Sequence, residues 1–195
     1  MYARDMPELA QLARSSAQGF KDILTFVLLT IQQPFQMTAR QMCDVRHRGP
    51  ESPYLFGSKR PGYLAVLESD ELRLDVLAAI DRGDREHAMK RLLEVPGLGL
   101  AKAGFAAQIM GAATACLDTH NLNRLGLPGF KSLVRASPKL VERKIKEYLA
   151  IVDAHGTAQW WWDTWCEYVA GRRNSPLKTA DEVSRFHVEA VSACA

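Results

Sequence analysis

The sequence predicts an all-α protein, and three features carry that prediction. Apolar residues recur at helical spacing, as in the stripe Leu140, Val141, Ile145, Tyr148, Leu149 and Val152. Helix-start signals precede such stripes: Ser137 followed by Pro138, and Thr179 with Glu182 three residues on, the pattern of a capping box. No segment alternates apolar and polar residues with the period of two that a half-buried strand requires.

Taken in order, residues 5–18 read as an amphipathic helix with Leu9, Leu12 and Ala13 on one face. Residues 20–31 (FKDILTFVLLTI) are apolar nearly all round, which marks a buried central helix that ends at Gln32-Gln33-Pro34. Residues 34–63 form the longest non-helical candidate, because HRGPESPYLFGSKRPGY holds three prolines and three glycines. Arg40, Arg46, Arg48, Lys59 and Arg60 outnumber Asp44 and Glu51 there, with Tyr54, Phe56 and Tyr63 interleaved. That mixture suits base stacking and phosphate contact, and equally a solvated loop pinned by aromatics. Residues 71–80 and 85–93 read as two short helices. The helix predicted from Ser137 carries a basic outer face of Lys139, Arg143, Lys144 and Lys146, a second phosphate-contact candidate or a merely solvated face. Trp160, Trp161, Trp162 and Trp165 fall within six positions, a pattern for core packing or for lining a pocket.

The stretch LLEVPGLGLAKAGFAAQIMGAATACLDTHNLNR (92–124) is the most informative. Pro96 and Gly97 stop one helix, Gly97-Leu98-Gly99 closes a turn tight enough to crowd side chains at either glycine, and a second helix begins at Leu100. The first turn of that helix offers unpaired N–H groups, a ready phosphate site. Asp118 follows in LDTH, where it can cap the next helix or serve as an active carboxylate.

VPGLGLAKA followed at this distance by LDTHNLNR resembles the helix-hairpin-helix DNA glycosylase superfamily, whose signature is LPGVGxKTA followed by VDTH. The resemblance implies a two-lobed helical fold over 1–195, with one lobe at about 20–117 containing the hairpin (92–110) and the other at about 1–19 plus 118–195. It implies that Pro96, Gly97, Leu98, Gly99 and Lys102 grip the DNA backbone and that Asp118 is the active-site carboxylate. LLTIQQ is similar to the family stretch whose glutamine fills the gap left by an extruded base, which points to Gln32, with Gln33 as second choice. His120, Asn121 and Arg124 are candidates for the pocket or for bracing the helix. The lysine of strand-cleaving members is replaced by Ala101; Lys102 comes one place later, a step of about 100° around a helix, and is expected not to substitute. Relatives that hold an iron–sulfur cluster do so with four closely spaced C-terminal cysteines, and only Cys166 and Cys194 lie in that region, so no cluster is expected.

Composition sets the outer limits. A hydrophobic share of 47% and a charged share of 24% in 195 residues suit a globular chain with a real core. The net charge of +3 permits a nucleic-acid partner without demanding one. No run approaches the roughly 18 apolar residues of a membrane span, and MYARDMPELAQLARSS has no apolar signal core, so a cytoplasmic location in a bacterial or phage-infected cell is expected. The four scattered cysteines suggest neither a metal site nor a disulfide framework. The expected partner is double-stranded DNA, bound by a monomer without cofactor. Three functions stay open: a monofunctional DNA N-glycosylase, a phage-type enzyme that transfers an amino acid or amine onto an activated hydroxymethyl-pyrimidine in DNA, and a non-catalytic DNA-binding module.

Overall fold

The protein is described from a computed structural model that covers residues 5–68, 70–130, 132–133 and 135–193. All its regular secondary structure is helical, with no strand among the described residues. The helices are α1 (Asp5–Ser15), α2 (Ala17–Leu29), α3 (Thr38–Arg48), α4 (Lys59–Glu68), α5 (Asp70–Asp81), α6 (Arg85–Leu92), α7 (Leu100–Ile109), α8 (Thr119–Arg124), α9 (Pro138–His155), α10 (Ala158–Ala170) and α11 (Ala180–Ser192). None is long and apolar enough to cross a membrane.

Helix α2 is the axis of the packing. Phe20, Ile23, Leu24, Phe26, Val27, Leu28 and Leu29 are all buried, so the helix is enclosed on every side. It touches α1, α3, α4, α5, α7 and α11. Ser16 separates it from α1, its hydroxyl accepting from the Gly19 N–H as an N-cap, so the single helix expected over residues 5–18 ends at Ser15. The caps read at Ser137 and Thr179 form as expected: Ser137 Oγ accepts from the Leu140 N–H, and Thr179 and Glu182 complete a reciprocal capping box.

The segment 34–63 is not the loop expected from its prolines and glycines. It contains α3, a 3₁₀ turn on each side of that helix, and the first turn of α4. Gly49 and Pro50 lie just past the end of α3, and Pro61 falls in the first turn of α4, where a missing N–H costs nothing. Nor is the basic cluster wholly a surface feature. Arg46 pairs with Asp22 at 2.8 Å and donates to the Val191 and Ala193 carbonyls, tying α2, α3 and α11 together. Lys59 is buried. Cys43 is disulfide-bonded, contrary to the expectation drawn from the scattered cysteines, whose spacing encodes no tertiary pairing.

Candidate functional site

Pro96–Gly99 forms the expected turn between α6 and α7. Leu98 is buried and anchors the turn from inside, while Pro96 and Gly99 are exposed. Gly97 has φ 92°, and a Cβ there would lie 3.1 Å from Ser58 Oγ, so both conformation and space demand glycine. Gly99 differs from the expectation. It caps α7 with φ −88° and ψ 178°, and a Cβ there would meet nothing within 4 Å. The open space at Gly99 adjoins the N-terminus of α7.

Helix α7 runs from this turn into the wall of a cavity of about 610 Å³. Lys102, Phe105 and Gln108, spaced three apart on α7, face it. The Lys102 ammonium donates to Thr30 Oγ1 at 2.9 Å and lies 5.5 Å from the centre of the Phe105 ring. Lys102 thus lines the cavity although it stands one place after Ala101.

Asp118 lies on the same cavity, just after the segment 115–117, in which four backbone groups have side-chain partners. The Ala115 carbonyl accepts from Tyr148 Oη at 2.6 Å, and the Leu117 N–H donates to that same oxygen at 2.8 Å. The Cys116 N–H donates to Gln108 Oε1 at 3.1 Å, and the Cys116 carbonyl accepts from Asn121 Nδ2 at 2.6 Å. Gly104 makes the approach of Tyr148 possible, since a Cβ there would lie 2.2 Å from Tyr148 Oη. Asp118 is also the N-cap of α8, its Oδ1 accepting from the Asn121 N–H at 2.9 Å. The cap and the cavity position coexist in one side chain. Cys116 lines the cavity too, but burial and then the neighbouring Asp118 charge push its thiol up to about 12, which rules out a thiolate nucleophile at neutral pH.

Aromatic side chains close the opposite side. Trp161, Trp162 and Trp165 of α10 and His187 of α11 line the cavity. Trp161 Nε1 donates to the Val152 carbonyl and Trp162 Nε1 to Ser184 Oγ, so both indole donors are used within the protein. Both are almost wholly buried, so they back the wall from within the core, and Trp165 is the least buried of the three. His187 sits among Phe26, Phe105, Trp162 and Trp165 at centroid distances of 4.8–6.1 Å. His120 lies 5.9 Å from Tyr168, and the Arg172 guanidinium lies 5.6 Å from the Tyr168 ring.

No family model, no curated protein and no solved structure matches this chain. The site therefore has to be read from its own geometry.

The structure brings Gln32, Gln33, Lys102, Asp118 and His120 onto one cavity. Gln32 is exposed and adopts φ 54°, a left-handed conformation unusual for glutamine, whereas Gln33 Oε1 faces Gln41 Nε2 at 3.5 Å. Asn121 and Arg124 do not line the cavity. Asn121 is buried and braces the Cys116 carbonyl, while Arg124 turns away to donate to Thr164 and rests 5.9 Å from the Trp160 ring. Sequence reasoning missed Thr30, Phe105, Gln108, Tyr168, Arg172 and His187. Gln108 alone carried a usable signal, as a lone amide in the apolar run AKAGFAAQIMG. Among the described residues no cluster of histidine, cysteine and carboxylate side chains has the arrangement of a metal site.

Proposed function

We propose that this chain is a base-extruding DNA enzyme with a two-lobed, helix-hairpin-helix glycosylase-like fold, and that it hydrolyses the N-glycosidic bond of a damaged or modified nucleotide. The observation that carries the reading is the placement of one carboxylate, Asp118, just after a segment braced by Tyr148, Gln108 and Asn121, facing an aromatic cavity that the hairpin's own helix also lines. In this reading the duplex rests a phosphate on the N–H groups after Gly99, and the target nucleotide rotates out of the stack. Gln32, at the cavity mouth, fills the gap it leaves. The extruded base lies against the aromatic side of the cavity, where Trp165 is the least buried of the three tryptophans. As the glycosidic bond lengthens, positive charge develops on the sugar, and the Asp118 carboxylate opposes it and orients the attacking water. Oδ1 is held by the Asn121 N–H, which leaves Oδ2 for that task. The Lys102 ammonium is engaged by Thr30 and Phe105, so water is the nucleophile and the abasic strand stays uncut.

A second reading draws on the size of the cavity, about 610 Å³, which exceeds what a bare base fills. An enlarged base with a C5 appendage, or a base together with an amine donor, would occupy it, as transfer onto an activated hydroxymethyl-pyrimidine requires. Mass spectrometry of duplex oligonucleotides carrying damaged or hypermodified bases, after incubation with the protein, separates the readings. Free base with an abasic strand supports glycosylase action. A mass change with the base retained supports transfer, and unchanged but bound DNA supports a binding module.

A further inference from the structure

Helix α4 starts in a confined place. Gly62 stands so close to the hairpin that a Cβ there would lie 2.2 Å from the Pro96 carbonyl oxygen and 3.0 Å from the Leu28 side chain. The first turn of α4 is thus wedged between the hairpin and the end of α2. Lys59 sits in that wedge, 2% exposed, and its ammonium donates to the Leu29 carbonyl at 3.3 Å. Leu29 is the last residue of α2, three positions before Gln32 with its left-handed backbone. The next residue, Thr30, is held by the second lysine, Lys102, at 2.9 Å. Two ammonium groups therefore grip two consecutive residues of the turn that presents Gln32 to the cavity.

We propose that Lys59 is a positioning residue, a buried strut that fixes the Gln32 turn against the DNA-facing hairpin and so sets how well a nucleotide is extruded. The proposal rests on the base-extrusion reading above and adds a residue outside the cavity that controls it.

The surroundings of Lys59 make the strut proton-linked. Lys102, the one ionisable residue of α7, faces it with like charge. Helix α2 contributes the Leu29 carbonyl; its own ionisable side chains, Lys21 and Asp22, are engaged by the Leu67 carbonyl and Arg46. The hairpin 95–99 carries no ionisable side chain, and the loop before α4 places the Phe56 ring 4.4 Å from the ammonium. Among the described residues no carboxylate forms an ion pair with Lys59. Burial and then Lys102 lower its pKa to about 8. The charged form is the one that satisfies the partial negative charge at the C-terminus of α2, so the grip on the turn is present below pH 8 and lost above it.

The test uses wild type and Lys59→Met, which keeps the length and apolar stem of the side chain. In the free protein, amide resonances of Ile31 and Gln32 should titrate with an inflection near pH 8 that Lys59→Met abolishes. With a fluorescent base analogue in a duplex, extrusion by wild type should fall as pH rises through 8, while Lys59→Met should extrude about tenfold less at pH 7, with a flat profile and duplex affinity within about twofold. A melting temperature no lower than wild type certifies the variant's fold, and Lys59→Arg, retaining charge, should extrude at pH 7 and lose the pH dependence. An inflection that persists in Lys59→Met, or wild-type extrusion by that variant, overturns the proposal. Absence of extrusion by wild type in every duplex, with the amide titration intact, counts against the base-extrusion reading and leaves the strut standing.

Discussion

At the residue scale, the position of Asp118 is set by side chains distant in sequence. Tyr148, fully buried on α9, both donates to the Ala115 carbonyl and accepts from the Leu117 N–H. Tyr148→Phe leaves both of those backbone groups without a partner, a loss of about 1–3 kcal/mol in unfolding experiments. Because the segment that loosens carries Asp118, base release should fall by about tenfold while duplex affinity holds, a split that a purely structural role for Tyr148 would not produce. Lys59 makes a different kind of prediction. Its pKa in the folded chain, about 8, lies below its ordinary value of 10.5, so between these pH values the unfolded chain binds more protons than the folded one. Stability therefore rises with pH across that window, and below pH 8 the full penalty of the buried charge is present. Lys59→Met should stabilise the protein by about 1–3 kcal/mol at pH 7 and by progressively less toward pH 10. Denaturant titrations at the two pH values check it, and equal gains at both would contradict it.

At the element scale, the hairpin and α7 separate what folding needs from what the proposed DNA binding needs. Gly97 is required by the fold, through its positive φ and its contact with Ser58. Gly99 is not, since its backbone suits any residue and space lies around it. Threonine is about as good as glycine at an N-cap, so Gly99→Thr should melt with wild type yet bind duplex DNA about tenfold more weakly, by keeping the phosphate away from the α7 N-terminus. Undiminished binding would exclude the hairpin as the DNA contact. The elements differ in how legible they were. Helices α7, α9 and α11 announced themselves because a stop, cap or capping box coincided with an apolar stripe. Helix α3 did not. Its buried positions Thr38, Gln41, Met42 and Val45 follow the helical spacing, but two of the four are polar, so the apolar period is too thin to outweigh the prolines and glycines downstream. The site divides the same way. Asp118 and Gln32 stand in local motifs, whereas Tyr148, Gln108, the partial burial of Arg46 and the burial of Lys59 depend on which helices meet.

At the scale of the whole molecule, the protein is a helical assembly around α2 whose charge is nearly balanced, so the DNA affinity proposed above would have to come from local features. The basic face of α9 is largely spent on ion pairs: Arg143 and Lys144 with Glu147, and Lys146 with Glu86. Arg40, Arg60 and Arg172 are exposed and have no ion pair among the described residues. With the hairpin they suffice for a few phosphate contacts, and at about 0.9 per phosphate the plot of log affinity against log salt should slope at about −3 to −4. Replacing Arg40 and Arg60 together should flatten that slope by about 2, whereas replacing Lys144 and Lys146 should leave it unchanged.

The central claim is that the carboxylate of Asp118 breaks a glycosidic bond, and its most direct test is the rate of base release by wild type and Asp118→Asn on one modified duplex. Asparagine keeps the shape of the side chain and its cap on α8, so folding and DNA binding should persist. The negative charge that opposes the developing cation is gone, and release should slow by about 10²–10³-fold or more. Release by Asp118→Asn at the wild-type rate would contradict the account.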